Sequence, residues 1–421
     1  MYPKVKPALA RAWRDLQTVQ FGVTPAHAVV LGPVDTATGS LIDRIDGTRS
    51  MELLRSEGAG LGLPQGRVDE LVRRLAGAGL LDDVTAGGPR AQAVRRRPET
   101  LERLGPDLGS LSLVRREPGG DLRGIAARRV IRVQVRGSGR VGAVIAAVLA
   151  GAGVGRVEVL DGGRVLPADV APGGLGPASV GRLRAEAAAA LVRDSAPGRG
   201  PRAGEVAGPE PGLALVVVAP RDGLRSWAPD PQEAADWVAT GTPHLYAGVL
   251  EGTGMVGPLV LPGSTACAGC MERDRVDRDP AWPRMLVQWR SAHRRRATAA
   301  CDVALSTAVA GLAAAHALSF LDGEVPASAG ARWEAALPGL CWNRSAVWPH
   351  PDCPCGAATA GEPAPPPAPA PLSVPGPGRG AGRSDDRGGG GGGRGGGRGG
   401  GGRVALQNVG AGSGADLRSR P

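Results

Sequence analysis

The run "VRGSGRVG", Val135 to Gly142, constrains this chain more than any other stretch. It follows the strand-like IRVQV and precedes an apolar, helix-like run, and its glycines have Gly-x-Gly-x-x-Gly spacing. Gly137 permits a tight turn after a strand, Gly139 lets backbone approach a phosphate, and Gly142 lets helix and strand pack closely. The helix that follows offers free N–H groups to an anion. A second strand-like run, RVEVL, then ends at Asp161. Strand, turn, helix, strand and acid predict the opening unit of an open α/β sheet. Taken alone, they admit a nicotinamide- or flavin-linked oxidoreductase.

The alternation continues over residues 129–357. Further strand candidates are LALVVVA, HLYAGV and MVGPLVL. Helices are predicted at 141–152, 181–194, 231–240 and 302–321. This pattern gives an α/β domain whose sheet is parallel in its first half.

Residues 1–90 read differently. In GRVDELVRRLAGAGLLDD, Val68, Leu71, Val72 and Leu75 recur at i, i+3, i+4 and i+7, one apolar helical face. Gly77 and Gly79 end that helix, and Leu80-Leu81 start a strand. With two shorter helical pieces upstream, the segment resembles a small winged-helix-like domain. Its last helix mixes Arg67, Arg73 and Arg74 with Asp69 and Glu70, a poor tracker of phosphates, so peptide is the expected ligand and nucleic acid is not. Residues 91–128, rich in Arg, Gly and Pro, read as a linker with one apolar piece, LGSLSLV, packing on the next domain.

From residue 358 the chain turns into EPAPPPAPAP and then RGGGGGGRGGGRGGGGR. It cannot bury enough apolar surface to offset its ordering entropy, so a disordered tail over 358–421 is expected. Between Gly361 and Pro421, eight Arg stand against four acidic residues, with no Phe or Tyr to stack on bases. That describes a solvated tail better than an RNA-binding one.

The chain carries a net charge of +10, almost entirely as arginine; Lys4 and Lys6 are its only lysines. No window approaches about 18 uninterrupted apolar residues, so no membrane span is expected. The N-terminus has no apolar core of signal-peptide length, so a cytoplasmic location is expected. Thiols stay reduced there. Cys267 and Cys270 in CAGC, and Cys353 and Cys355 in HPDCPCG, each sit in a turn-forming context far apart in the chain. Four thiolates at such spacing suit a closed structural zinc site. Cys301 and Cys341 read as packing residues.

The glycine turn, the phrase AGVGRVEVLD and the later cysteine pairs resemble the ThiF/MoeB superfamily of ubiquitin-activating-type adenylyltransferases, over about residues 129–357. The resemblance implies a mostly parallel Rossmann-like sheet, a glycine turn under Mg-ATP and a zinc held by four cysteines. It implies activation of the C-terminal carboxylate of a peptide or small protein by attack on the α-phosphate, with pyrophosphate leaving. It assigns Gly137, Gly139, Arg140, Gly142 and Asp161 to the nucleotide and Asp222 to magnesium. Arg184 falls where the family has its phosphate lysine. Relatives are often dimers, so a homodimer is implied as well.

Several positions depart from the family pattern. Gly163 replaces the second Asp of Asp-x-Asp, Asp169-Val170 stands for Asn-Leu, and Pro172-Gly173 stands for Arg-Gln. Arg140, Arg182 and Arg184 are the cations available to compensate. Losing one well-placed charge-stabilising donor costs about 3 kcal/mol in such chemistry. These departures match a narrower resemblance, to ThiF-like proteins that accompany YcaO-type cyclodehydratases in making thiazoles and oxazoles in peptides. Those share the small peptide clamp, GSGRVG, an Asp-Val-x-Pro-Gly-Gly segment and C-x-x-C with C-x-C. There the ThiF-like domain has a degraded ATP site and serves recognition and docking. The alternative is an active adenylyltransferase with a rearranged site.

Overall fold

In the computed structural model the described residues are 1–198, 212–293 and 299–359. The tail expected to be disordered therefore lies, beyond Thr359, outside the described residues.

The chain opens with β1 (Pro3–Val5) and an antiparallel meander of β2 (Arg11–Asp15), β3 (Thr18–Phe21) and β4 (Val29–Leu31). Three helices follow: α1 (Thr36–Arg44), α2 (Met51–Gly60) and α3 (Arg67–Gly77). Asp35 and Ser50 cap the first two, accepting from the backbone N–H of Thr38 and Leu53. The predicted stripe Val68, Leu71, Val72 and Leu75 is the buried face of α3, and Gly79 turns the chain at φ +74°. Strand β5 (Leu81–Asp83) then returns to pair antiparallel with β1. The meander was not foreseen. Its strands are three to five residues long, too short for an alternation to stand out.

Residues 91–128 are not an open linker. They fold into α4 (Gly88–Arg95), α5 (Pro98–Arg103), α6 (Gly105–Val114) and α7 (Gly120–Arg128). Ala91, Val94, Leu104, Leu111, Leu122 and Ile125 form their core. The Gly and Pro residues read as linker signals are helix punctuation. Prolines occupy the first turns of α4, α5 and α6, and Gly87 and Gly119 enter helices with positive φ.

This module ties both neighbours. Lys6, 2% exposed, donates from Nζ to the carbonyls of Ser112 (2.6 Å), Arg115 (3.2 Å) and Arg116 (3.2 Å), satisfying the end of α6. Arg128 clasps Asp322 through Nε (2.8 Å) and Nη2 (2.6 Å), a nearly buried pair.

The seven-stranded sheet comprises β6 (Arg132–Arg136), β7 (Arg156–Leu160), β8 (Leu213–Val218), β9 (His244–Leu250), β10 (Thr253–Val260), β11 (Ala331–Ala336) and β12 (Asn343–Ala346), in the order β12-β11-β10-β9-β8-β6-β7. Pairings β7-β6-β8-β9 are parallel and those from β9 to β12 antiparallel. All five strands predicted here are present, with ends within two residues.

The helices of this part are α8 (Arg140–Gly151), α9 (Arg184–Ser195), α10 (Gly223–Trp227), α11 (Pro231–Ala239), α12 (Ala268–Arg278), α13 (Trp282–His293) and α14 (Val303–Leu321). Helix α9 begins at Arg184 rather than 181, because Arg182 and Leu183 pair in extended conformation with Val165 and Arg164. Helix α8 is apolar nearly all round because α14, α9 and the sheet cover it. By length and composition α14 could cross a bilayer. Here Leu305, Val309, Ala310, Ala313 and Ala317 pack it into the core against α8 and β9.

Candidate functional site

The chain passes from β6 to β7 on one side and then to β8 on the other. The crevice beyond the carboxyl ends of β6 and β8 is where open α/β sheets bind ligands. A cavity of about 530 Å³ lies there, walled by Arg136, Leu160, Asp161, Arg221, Asp222 and Trp237, among others.

The glycine turn holds its shape for steric reasons. Gly137 has φ +110°, and a Cβ there would sit 2.1 Å from the Ala219 carbonyl oxygen. A Cβ on Gly142 would lie 2.2 Å from the Gly137 oxygen, and one on Gly139 would strike Cγ of Arg221 at 2.8 Å. Gly137 and Gly142 are required by close backbone approach, whereas the neighbour of Gly139 is a side chain.

The polar groups around the turn are already engaged. Asp161 accepts from the backbone N–H (2.8 Å) and hydroxyl (2.9 Å) of Ser138, and pairs with Arg184 Nε at 3.3 Å. Arg184 also faces Asp169 at 3.6 Å and donates to the Arg164 carbonyl. Asp169, 2% exposed, takes a close ion pair from Arg221 and accepts from the Leu166 N–H at 2.8 Å. Two carboxylates thus meet two guanidiniums, and the set is neutral. Arg140 reaches the carbonyls of Ala168 and Cys301, both at 2.8 Å. Asp222 caps α10 through the Leu224 N–H, and Arg225 pairs with Glu233.

The structure therefore brings Gly137, Asp161, Arg184 and Asp222 to one cavity and turns the Arg140 guanidinium to loop carbonyls. Sequence reasoning missed Arg221, Arg136 and Trp237. Arg221 follows a strand that ends at the crevice, and that position was the available signal.

The four cysteines come together as well. Sγ distances are 3.9 Å for Cys267–Cys270, 3.6 Å for Cys267–Cys353 and 3.5 Å for Cys270–Cys355, with all four sulfurs within 4.8 Å of one another. A tetrahedron of thiolates about 2.3 Å from a zinc has edges of about 3.8 Å, so the donor set fits a metal ion. The hydrogen bond to Cys270 and, after it, burial raise the Cys267 thiol, while the same bond lowers Cys270. Four thiolates in so small a space need a cation to ionise together.

Beside this cluster, β9 buries His244 and Tyr246. His244 shares its Nδ1 with the Thr242 carbonyl and packs on Trp237, and burial lowers its pKa to about 4. Its Nε2 and the Tyr246 hydroxyl find no hydrogen-bond partner among the described residues.

A Rossmann-like crevice with a glycine turn, on a sheet clasped by four thiols, defines a nucleotide-fold protein with a metal-ready cysteine cluster. The chain belongs to the ThiF family, whose profile matches residues 121–356. Among solved structures it is similar to E. coli MccB with MccA-N7isoASN (14% identity, 84% of this chain and 99% of that chain, TM-score 0.59). It is also similar to E. coli MccB with ATP (15%, 84% and 99%, TM-score 0.58) and to PaaA (16%, 81% and 99%, TM-score 0.59). No curated protein matches the chain. These structural likenesses extend over the N-terminal module as well as the sheet.

Proposed function

We propose that this ThiF-family protein binds a peptide or small-protein tail and docks a partner enzyme in peptide modification, with a weakened ATP site. One observation carries the reading: Asp169 sits buried between Arg184 and Arg221. The two cations best placed to face a triphosphate are thereby neutralised, and no lysine lies in this part of the chain. A multiply charged anion gains little where the cations are already paired. Residues 1–90 are the peptide clamp in this reading. The likeness to MccB, crystallised with MccA, supports such a ligand. The partner is a YcaO-like enzyme on another chain, and the protein acts in the cytoplasm as a homodimer. Cys267, Cys270, Cys353 and Cys355 hold a structural zinc that fastens the start of α12 to the segment after β12.

A second reading, an active adenylyltransferase, is favoured by the open cavity, by Asp222 at its wall and by the ATP bound in MccB. Pyrophosphate exchange into ATP across candidate peptides separates the two. The docking reading expects no exchange and an ATP affinity weaker than about 100 μM, roughly −5.5 kcal/mol. Exchange that disappears in Asp222→Ala would overturn it.

A further inference from the structure

Helix α12 carries three arginines, and each is used differently. Arg278 pairs with Asp274 one turn earlier, at 2.8 Å on the surface. Arg275 lies over the Trp282 ring, 5.0 Å from its centroid, and donates to the Trp227 carbonyl. Arg273 does neither. Half-buried, it bends back toward the start of the helix, the direction in which helical side chains lean. Its Nη1 donates to the Gly269 carbonyl at 3.2 Å and to Cys353 Sγ at 3.8 Å. Among the described residues no carboxylate forms an ion pair with it. Gly269 leaves room for this meeting. A Cβ there would crowd both Arg273 Nη1 and Cys353 Sγ at 3.2 Å, and would lie 3.5 Å from Cys267 Sγ.

We propose that Arg273 is the charge partner of the cysteine cluster: it holds the Cys353 thiolate by an N–H···S bond and offsets part of the negative charge that a bound zinc leaves over. The inference rests on the reading that the four cysteines hold zinc. A zinc ion cancels two of four thiolate charges and leaves two uncompensated. Cys267 caps α12 and Cys270 lies in its first turn, so the positive end of the helix serves those two sulfurs. Cys353 comes from outside that helix, and Arg273 brings a cation to it. Groups that touch metal ligands in this way orient them and set how firmly the metal is held. A guanidinium suits the place because its planar fork serves a carbonyl and a sulfur together, which an ammonium does less well. A charge-assisted bond also draws electron density from the sulfur and makes it a poorer nucleophile. Arg273 therefore keeps the cluster structural and unreactive.

The test uses the full chain with zinc, in competition with a chromophoric chelator, and with cobalt(II) as a spectroscopic stand-in. Arg273→Gln is expected to hold zinc about tenfold more weakly than the parent. Its sulfur-to-cobalt charge-transfer band is expected at lower energy, because losing the cation raises the sulfur lone pairs. Arg273→Lys, which keeps the charge without the fork, should recover part of both effects. Arg273→Met, which keeps the stem against the helix, is a second neutral variant should glutamine disturb folding, and circular dichroism checks each protein. A parent that binds zinc, with neutral variants that match it in affinity and in the cobalt band, would overturn the inference and leave the zinc reading standing. Weaker affinity with an unmoved band would overturn it as well, because Arg273 would then act by packing alone. A parent that binds neither zinc nor cobalt would overturn the zinc reading, and this inference with it.

Discussion

The four-cysteine cluster and the cavity at the glycine turn hang from the same sheet and stand in opposite conditions. At the cluster, the donors of a four-thiolate site are assembled: four sulfurs, two from the start of α12 and two from the segment after β12, lie within 4.8 Å of one another. At the cavity, the backbone frame is intact while the charges around it cancel, Asp161 and Asp169 against Arg184 and Arg221. The difference teaches what each feature is evidence for. The cluster is costly to keep without its ion, so its assembly argues directly for metal. Gly137 and Gly142 are fixed by contacts with Ala219 and with the turn itself, so they testify to the fold whether or not a nucleotide binds. Only the polar side chains at the cavity are free to change without unfolding the sheet.

The largest effect is expected at the cluster. Cys353→Ser should lower the bound metal from near one zinc per chain to a small fraction, measured by elemental analysis. It should destabilise the fold by several kcal/mol, because metal-binding energy is folding energy at such sites. A metal-free parent that melts like the metal-loaded one would remove the contrast between the two regions. Next comes the turn. Gly137→Ala forces a Cβ to 2.1 Å from a carbonyl oxygen at a φ of +110°, and should cost about 3 kcal/mol in chemical denaturation with no ligand present. If it costs little, the glycines are kept for a ligand and not for the backbone.

His244 gives the third prediction. Burial holds it neutral, with its pKa lowered to about 4 from an unfolded value near 6.5. Between those pH values the unfolded chain binds the proton and the folded chain does not, so stability is full above about 6.5 and falls as pH drops toward 4. The loss across that window should reach about 3 kcal/mol. Thiolate protonation at the neighbouring cluster also lowers stability in acid. The diagnostic is therefore the difference between parent and His244→Gln, whose stability curve should be flatter from pH 6.5 to 4.

What could be read from the sequence divides along the same line. Strand alternation in LALVVVA and HLYAGV, the glycine turn and the cysteine pairs are local signals, each complete within a few residues, and each corresponds to an observed element or cluster. The helices at 88–128 were misread because Pro98, Pro106 and Gly119 mark helix starts as readily as loops, and only the buried partners Leu104, Leu122 and Ile125 decide between the two. The cancellation at the cavity was not readable at all. Asp169, Arg184 and Arg221 come from three separate loops or helix ends, and their pairing is a product of tertiary packing.

The smallest effect is the sharpest test of the comparison. Asp169→Asn removes the negative charge that holds Arg221 and faces Arg184, and it places an amide where the ThiF resemblance expects Asn. The amide oxygen can still accept from the Leu166 N–H, so the loop keeps its hydrogen bond. Two guanidiniums then lose a carboxylate and face the cavity with a net positive charge. If cancellation is what weakens the phosphate end, Mg-ATP should bind about tenfold tighter, near 1.4 kcal/mol, with the gain fading as salt rises. Adenosine should respond far less, because it carries no phosphate for the released cations to meet. An unchanged ATP affinity in a well-folded variant would mean that charge cancellation is not the defect, and that the missing Asn-Leu and Arg-Gln contacts have to be sought in the shape of the loop from Gly163 to Gly173.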